Sequence, residues 1–217
     1  SIVKYTGRNS EISDGQHTRV THGLGVKPDY LIIKGTDNRE WIVFQGNDND
    51  ANLHLNKNHA TSGSEFIGNQ GLNTSTYFNV GNDSHVNENG VEYIAYLFSN
   101  KTGFCKSSTY VGNGNTDGTF VYTGFRPSFI LIKNTTASQE WEMFDDKRDG
   151  YNDANRRIHP NQNVAEQSAS DRVRFLSNGF KLVTSGGTHV NGNGNTHKYL
   201  AFGQSLVGSN NIPCTAR

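Results

Sequence analysis

Blocks of this chain recur about one hundred residues apart and in the same order. Val26-Lys-Pro-Asp-Tyr-Leu-Ile-Ile-Lys34 is echoed by Phe125-Arg-Pro-Ser-Phe-Ile-Leu-Ile-Lys133, and Glu40-Trp-Ile-Val-Phe44 by Glu140-Trp-Glu-Met-Phe144. The only two tryptophans thus occupy equivalent places. Tyr93-Ile-Ala-Tyr96 matches Tyr199-Leu-Ala-Phe202, and Lys4-Tyr-Thr-Gly7 matches Thr109-Tyr-Val-Gly112 more weakly. Repeated β units build binding surfaces and fibres more readily than asymmetric catalytic centres. The chain is therefore expected to hold two similar repeats, residues 1–103 and 104–217.

Composition says what kind of repeat. Only 33% of the residues are hydrophobic while 11% are aromatic, which suits thin β layers filled by large rings. Twenty-four Gly and 27 Asn supply positive-φ turn positions, so the reading is many short strands joined by tight turns. Tyr30–Lys34 and Phe129–Lys133 read as central strands entered through Pro28 and Pro127. Each continues through a polar turn into a second strand carrying Trp41 or Trp141, making a hairpin. On that strand Trp41 and Val43 share one face and Phe44 points to the other, as do Trp141, Met143 and Phe144. Tyr77–Val80 and Arg174–Leu176 are read as matching later strands. One helical turn is allowed around Asp153–Arg157. The predicted fold is all-β, with two antiparallel β-sandwich repeats in tandem.

Charge and cysteine content bound the partners. Net charge is zero and basic residues are scattered, so nucleic-acid binding has no footprint. No apolar run approaches 18 residues, which argues against membrane insertion. Ser1 stands in strand-like sequence, as expected of a segment of a longer polypeptide or a processed product. Cys105 and Cys214 are either free thiols or a disulfide closing a loop of about a hundred residues.

The Gly-Phe-Arg-Pro-x-Phe-Ile-Leu-Ile-Lys block and Phe175-Leu-Ser-Asn-Gly-Phe-Lys181 resemble a β-rich repeat domain of phage tail-fibre and related virion proteins, including those of environmental phages. Further matching stretches are His22-Gly-Leu-Gly-Val-Lys-Pro28, Asn87-Glu-Asn-Gly-Val-Glu-Tyr-Ile-Ala-Tyr96, Phe120–Pro127 and Thr215-Ala-Arg217. The resemblance covers essentially the whole chain. It implies a virion appendage, outside the cell, that assembles with other virion proteins and as a homo-oligomer, a trimer being the favoured state. It carries no catalytic motif.

Candidate chemistry is sparse. Asn47-Asp-Asn-Asp-Ala-Asn52 offers oxygen donors to calcium but lacks EF-hand order. Glu40 and Glu140 could be imagined as a glycosidase pair, yet symmetry would make two equal sites. The histidines show no zinc spacing and read as surface residues, with His189 and His197 bracketing a flexible hairpin tip. No cofactor is expected. Sugar binding is the strongest specific expectation, since Tyr110, Tyr122, Tyr151, Asn152 and Arg148 supply rings and donors in loops. The polar excursion Asp145–Asn163, found in the second repeat, is the expected receptor loop, with Arg148, Tyr151, Asn152, Arg156, Arg157 and His159 contacting a host glycan. The expected function is a non-enzymatic structural and adhesive module presenting a host-receptor surface. A capsid-decoration protein and a secreted carbohydrate-binding module are the alternatives.

Overall fold

A computed structural model describes residues 1–9, 17–46, 53–61, 74–149, 152–184 and 187–203. The chain divides into two compact units, Ser1–Ser99 and Asn100–Arg217. Both are built almost wholly of antiparallel strands.

The first unit has a five-stranded sheet in the order β1-β7-β3-β4-β5, from β1 (Ile2–Thr6), β3 (Tyr30–Gly35), β4 (Trp41–Gln45), β5 (Leu53–His54) and β7 (Glu92–Phe98). A second sheet pairs β2 (Thr18–Thr21) with β6 (Tyr77–Val80), and one helical turn, α1 (Ser84–Asn87), precedes β7. The core lies between the sheets: Leu31, Ile33, Ile42, Phe44, Tyr93, Ala95 and Leu97 face Val20, Phe78 and Val80, with Val86 of α1 closing one end. Alternation along each strand sends these residues inward, which is why the apolar runs become central strands.

The second unit repeats this order. Its first sheet runs β11-β10-β15-β8, from β8 (Cys105–Val111), β10 (Pro127–Asn134), β11 (Trp141–Asp145) and β15 (Thr196–Gly203). Read from the other edge, the sheet has the order of β1-β7-β3-β4. The second sheet, β12-β13-β14-β9, comprises β9 (Phe120–Tyr122), β12 (Ala154–Arg157), β13 (Gln167–Leu176) and β14 (Gly179–Leu182). A second helical turn, α2 (Thr188–Asn191), precedes β15. Phe44 pairs Leu31 as Phe144 pairs Ile130, and Phe78 pairs Val20 as Phe180 pairs Val121.

That register corrects three expectations. The counterpart of Tyr77–Val80 is Gly179–Leu182, which pairs β9 as β6 pairs β2, and not Arg174–Leu176. The echo of Tyr93–Tyr96 in Tyr199–Phe202 is two residues out of step: Tyr93 lies opposite Tyr5 and Gly35, and the residue opposite Tyr110 and Asn134 is His197. A slip of two keeps the same face inward, so the sequence match survives without positional equivalence. In place of the expected helical turn at Asp153–Arg157, Ala154–Arg157 is strand, with Ala154 pairing Val173 across the sheet. Of the cysteines, Cys105 is a buried free thiol, and Cys214 lies outside the described residues.

Candidate functional site

At the tip of each central hairpin a lysine folds back onto the turn. Lys34 Nζ donates to Gly35 O at 2.5 Å and Asp37 O at 2.6 Å; Lys133 Nζ donates to Asn134 O and Gln139 O, both at 2.8 Å. Burial pushes the Lys133 ammonium down to about 8, with the Glu140 charge pulling the other way. Where the next strand begins, an asparagine clamps it. Asn56 Oδ1 accepts from Trp41 N and Asn161 Oδ1 from Trp141 N, each at 3.1 Å, while the amides of Asn56 and Asn161 donate to Glu40 and Glu140. Glu40 also pairs with Lys57 at 2.8 Å. Burial would raise the Glu40 carboxyl, but the hydrogen bonds from Lys57 and Asn56 leave it lowered. The two glutamates are thus held by the same local device in each unit.

Both asparagines belong to a motif that spacing reveals once the frame is known. His54-Leu-Asn-Lys-Asn58 and His159-Pro-Asn-Gln-Asn163 share His-x-Asn-x-Asn, and Ser84-His-Val-Asn87 and Thr188-His-Val-Asn191 share His-Val-Asn. The two motifs meet within each unit. His54 and His85 rings lie 5.9 Å apart, and His159 and His189 rings 6.4 Å apart. In the second unit this histidine pair gains a buried acid: Glu142 stands where the first unit has the core residue Ile42. Glu142 is fully buried, 3.0 Å from Arg157 Nη1, 3.1 Å from His189 Nδ1 and 3.8 Å from His159 Nδ1. His159 is only 4% exposed, with Nδ1 2.9 Å from Trp141 O and Nε2 3.1 Å from Gln167 Oε1. A carboxylate, a guanidinium and two imidazoles could in principle move protons. Glu142 itself has no exposed surface, and Arg157 sets a guanidinium beside it inside the sandwich.

The histidines are therefore not uniformly superficial. His22, His159 and His197 are all buried, and burial pushes His197 down to about 4. His54 is likewise held near 4, by burial first and then by His59 and Lys57. The predicted flexible tip Asn191–Thr196 begins at the last residue of α2, Asn191, which is fully buried. Among the described residues no group of three or more His, Cys, Asp or Glu is arranged to hold a metal ion. The Asn47–Asn52 loop lies outside the described residues.

The described residues of the expected receptor loop are engaged within it and by Glu142, Glu166 and Phe175 outside it. Arg148 pairs with Asp145 and reaches Glu166 at 3.3 Å, and Arg156 lies 3.1 Å from Glu166 and 3.5 Å from Asp149. Asp145 is held low against its burial by Arg148 and by backbone N–H donors of Lys147 and Arg148. Asn152 makes two bonds, both 2.8 Å, to the backbone of Phe175. Arg157 and His159 serve Glu142. Four of the predicted residues fall into two groups, Arg148 and Arg156 around Glu166 and Arg157 and His159 around Glu142, while Asn152 stands apart on Phe175. Tyr151 lies outside the described residues. Tyr110 is no loop residue: it is 8% exposed in β8, its hydroxyl donating to Val190 O at 2.7 Å.

Tyr122 alone of the described predicted tyrosines offers a free face. It is 65% exposed at the end of β9, beside an open pocket of about 260 Å³ lined by Asn100, Lys101, Thr102, Cys105, Lys106 and the Tyr122–Gly124 turn. One wall is the tight turn from Lys101 to Cys105, where Cys105 N donates to Lys101 O at 2.9 Å and Gly103 takes φ 78°. The other is the β9 exit, where Gly124 has φ 84° and both Thr123 N and Gly124 N donate to Asn178 O. Asn100 anchors the first wall by accepting from Ser107 N at 2.6 Å. The sequence gives an exposed aromatic here but no hint that residues twenty apart form its surroundings.

Comparison with known proteins agrees with a family without an assigned role. A family model described as a domain of unknown function, DUF7483, matches residues 1–205. No curated protein and no solved structure matches the chain.

Proposed function

We propose that the chain, which belongs to the DUF7483 family, is a non-catalytic structural and adhesive module of a phage virion appendage. The observation that carries this reading is the use of Glu40 and Glu140. Each carboxylate is bound by the asparagine that also fixes the first N–H of the following strand, in the same way in both units. Groups so engaged hold a scaffold in shape, whereas a glycosidase needs two carboxyls across a cleft with opposed protonation states. The resemblance of the Pro-led blocks to tail-fibre repeats supplies the setting: a rigid β body, outside the cell, assembled as a homotrimer with other virion proteins. Host glycan is the proposed partner.

The test is retention without turnover. Purified protein should be a trimer by light scattering, bind host cells, and release no reducing ends from host-surface polysaccharide over long incubation. Release abolished by Glu40→Gln or Glu140→Gln overturns the non-catalytic reading. A monomer that binds soluble glycan alone assigns the secreted binding module instead, and binding to assembled capsids without cell binding assigns decoration.

A further inference from the structure

We infer that the pocket between the Lys101–Cys105 turn and the end of β9 binds an anionic sugar, a single pyranose carrying a carboxylate or sulfate; this rests on the adhesive reading above. Three observations converge on it. The first is the Tyr122 ring. A strand tyrosine 65% exposed keeps apolar surface in water, and such a face can cover the apolar side of a pyranose. Phe120, 45% exposed and two residues earlier on the same face of β9, extends that surface along the strand.

The second is charge. Lys101 and Lys106 both line the pocket, and none of its lining residues is acidic. Elsewhere the exposed lysines Lys4, Lys57 and Lys147 and the half-buried Lys181 sit against Glu92, Glu40, Asp146 and Asp117. Among the described residues neither Lys101 nor Lys106 has an ion-pair partner. In a chain of net charge zero, two uncompensated ammonium groups at one opening make a local positive potential. Lysine supplies it as a compact, strongly hydrated point charge that suits a carboxylate or sulfate at varied angles.

The third is size and donor supply. A volume of about 260 Å³ lies below the roughly 300–1,000 Å³ of pockets for drug-sized ligands, so it admits one ring and not a long chain. Asn100 and Thr102 on the wall bring amide and hydroxyl groups able to bond sugar hydroxyls. Both walls are tight turns pinned by backbone hydrogen bonds, so the site exists before ligand arrives.

The experiment is an NMR titration of the full chain with three probes: methyl glucuronide, methyl glucoside and sodium sulfate. Saturable shifts centred on Tyr122, Thr123 and Lys106 are expected with the glucuronide, at least tenfold tighter than with the glucoside or with sulfate. Tyr122→Ala and the pair Lys101→Gln/Lys106→Gln should each weaken it about tenfold, leave thermal melting unchanged, and the lysine pair should remove its salt dependence. Equal affinity for glucoside removes the charge argument, and equal affinity for sulfate leaves an adventitious ion only; either overturns the inference, as does absence of saturable binding. Loss of cell binding in these variants supports it. Glucuronide binding by a protein that does not adhere to cells sinks the adhesive reading alone; adhesion unaffected by both variants sinks the pocket alone.

Discussion

The Tyr110 ring stacks on His197 with centroids 4.9 Å apart and planes 6° from parallel, in the place where the first unit stacks Tyr5 on Tyr93 at 5.2 Å and 16°. The two pairs occupy the same register, yet only one contains an imidazole. Tyr93 uses its hydroxyl to bond Ser84 O at 2.6 Å; His197 Nδ1 donates to Asn195 O at 3.0 Å.

This difference predicts acid sensitivity. Burial, with Lys133 adding to it, holds native His197 near 4 against 6.5 for the free side chain. Between those values the unfolded chain binds the proton and the native chain does not. The contribution is therefore fully present above pH 6.5 and is lost as pH falls toward 4, by at most about 3 kcal/mol. His54 acts in the same direction, but it is half-buried and contributes less. Chemical denaturation at pH 7.0 and pH 4.5 should show the drop. His197→Tyr, which copies the first unit, should shrink it; an unchanged drop would assign the sensitivity elsewhere.

A second prediction concerns Glu142. Removing Arg157 alone leaves a buried carboxylate without its strongest partner, and Arg157→Leu should cost on the order of 3–5 kcal/mol. Glu142→Ile places in the second unit what the first unit carries at Ile42. The pair Glu142→Ile/Arg157→Leu should then be close to neutral, since replacing a buried ion pair by apolar groups is often without cost. Midpoints of urea unfolding for the single and double variants give the comparison. A double variant as damaged as Arg157→Leu would mean that Glu142 holds His159 and His189 in place and does more than offset a charge.

Strands were legible wherever burial is strong enough to write a pattern. Tyr30–Lys34 and Phe129–Lys133 are apolar because central strands bury nearly every position, and the prolines before them mark where the ladder starts. The four-residue turns α1 and α2 are too short to show a helical period, and beside Val86 and Val190 their buried residues are Asn87 and Asn191, which read as ordinary turn residues. His-Val-Asn and His-x-Asn-x-Asn recur in both halves, but their spacing matches no metal pattern, and their role shows only where the two motifs meet within each unit. Glu142 is visible as a charge in an apolar run, whereas its partners Arg157 and His189 come from distant segments. The pocket beside Tyr122 is non-local for the same reason.

The buried asparagines give a third prediction. Asn191 accepts from Asn113 N at 3.1 Å and donates to Asn115 O and Thr184 O, both at 3.0 Å; Asn87 accepts from Arg8 N at 2.9 Å and donates to Gly81 O at 2.9 Å. Each side chain ties a helical turn to the loop leaving the first strand. Asn191→Ala strands several buried backbone groups and should cost about 2–4 kcal/mol. Asn191→Asp keeps the shape but turns a donor into an acceptor facing carbonyls. It should be at least as damaging at pH 7, by thermal unfolding, and a mild effect would mean that water replaces the lost donors.

The last prediction separates two kinds of glycine in the second unit. Gly112 follows β8, and a Cβ there would sit 2.3 Å from Gly192 O and 2.6 Å from Asn191 C. Both are backbone atoms of the segment that Asn191 fixes, so neither can swing away as a side-chain end could. Gly112→Ala must push the first strand off the α2 turn, and overpacking of this sort costs about 1–3 kcal/mol or more. Gly194 has open space around its would-be Cβ but φ +72°, so Gly194→Ala meets only backbone strain, about 1–2 kcal/mol. Hydrogen exchange distinguishes the mechanisms beyond the stability totals. Gly112→Ala should speed exchange at Gly112, Asn113 and Gly114, whose N–H groups donate to Asn195 O, Asn191 Oδ1 and Asn191 O, while Gly194→Ala should leave Asn113 protected. Equal loss of protection in both variants would show that the α2 turn and the strand open together, and that close approach at Gly112 is not the point on which they are joined.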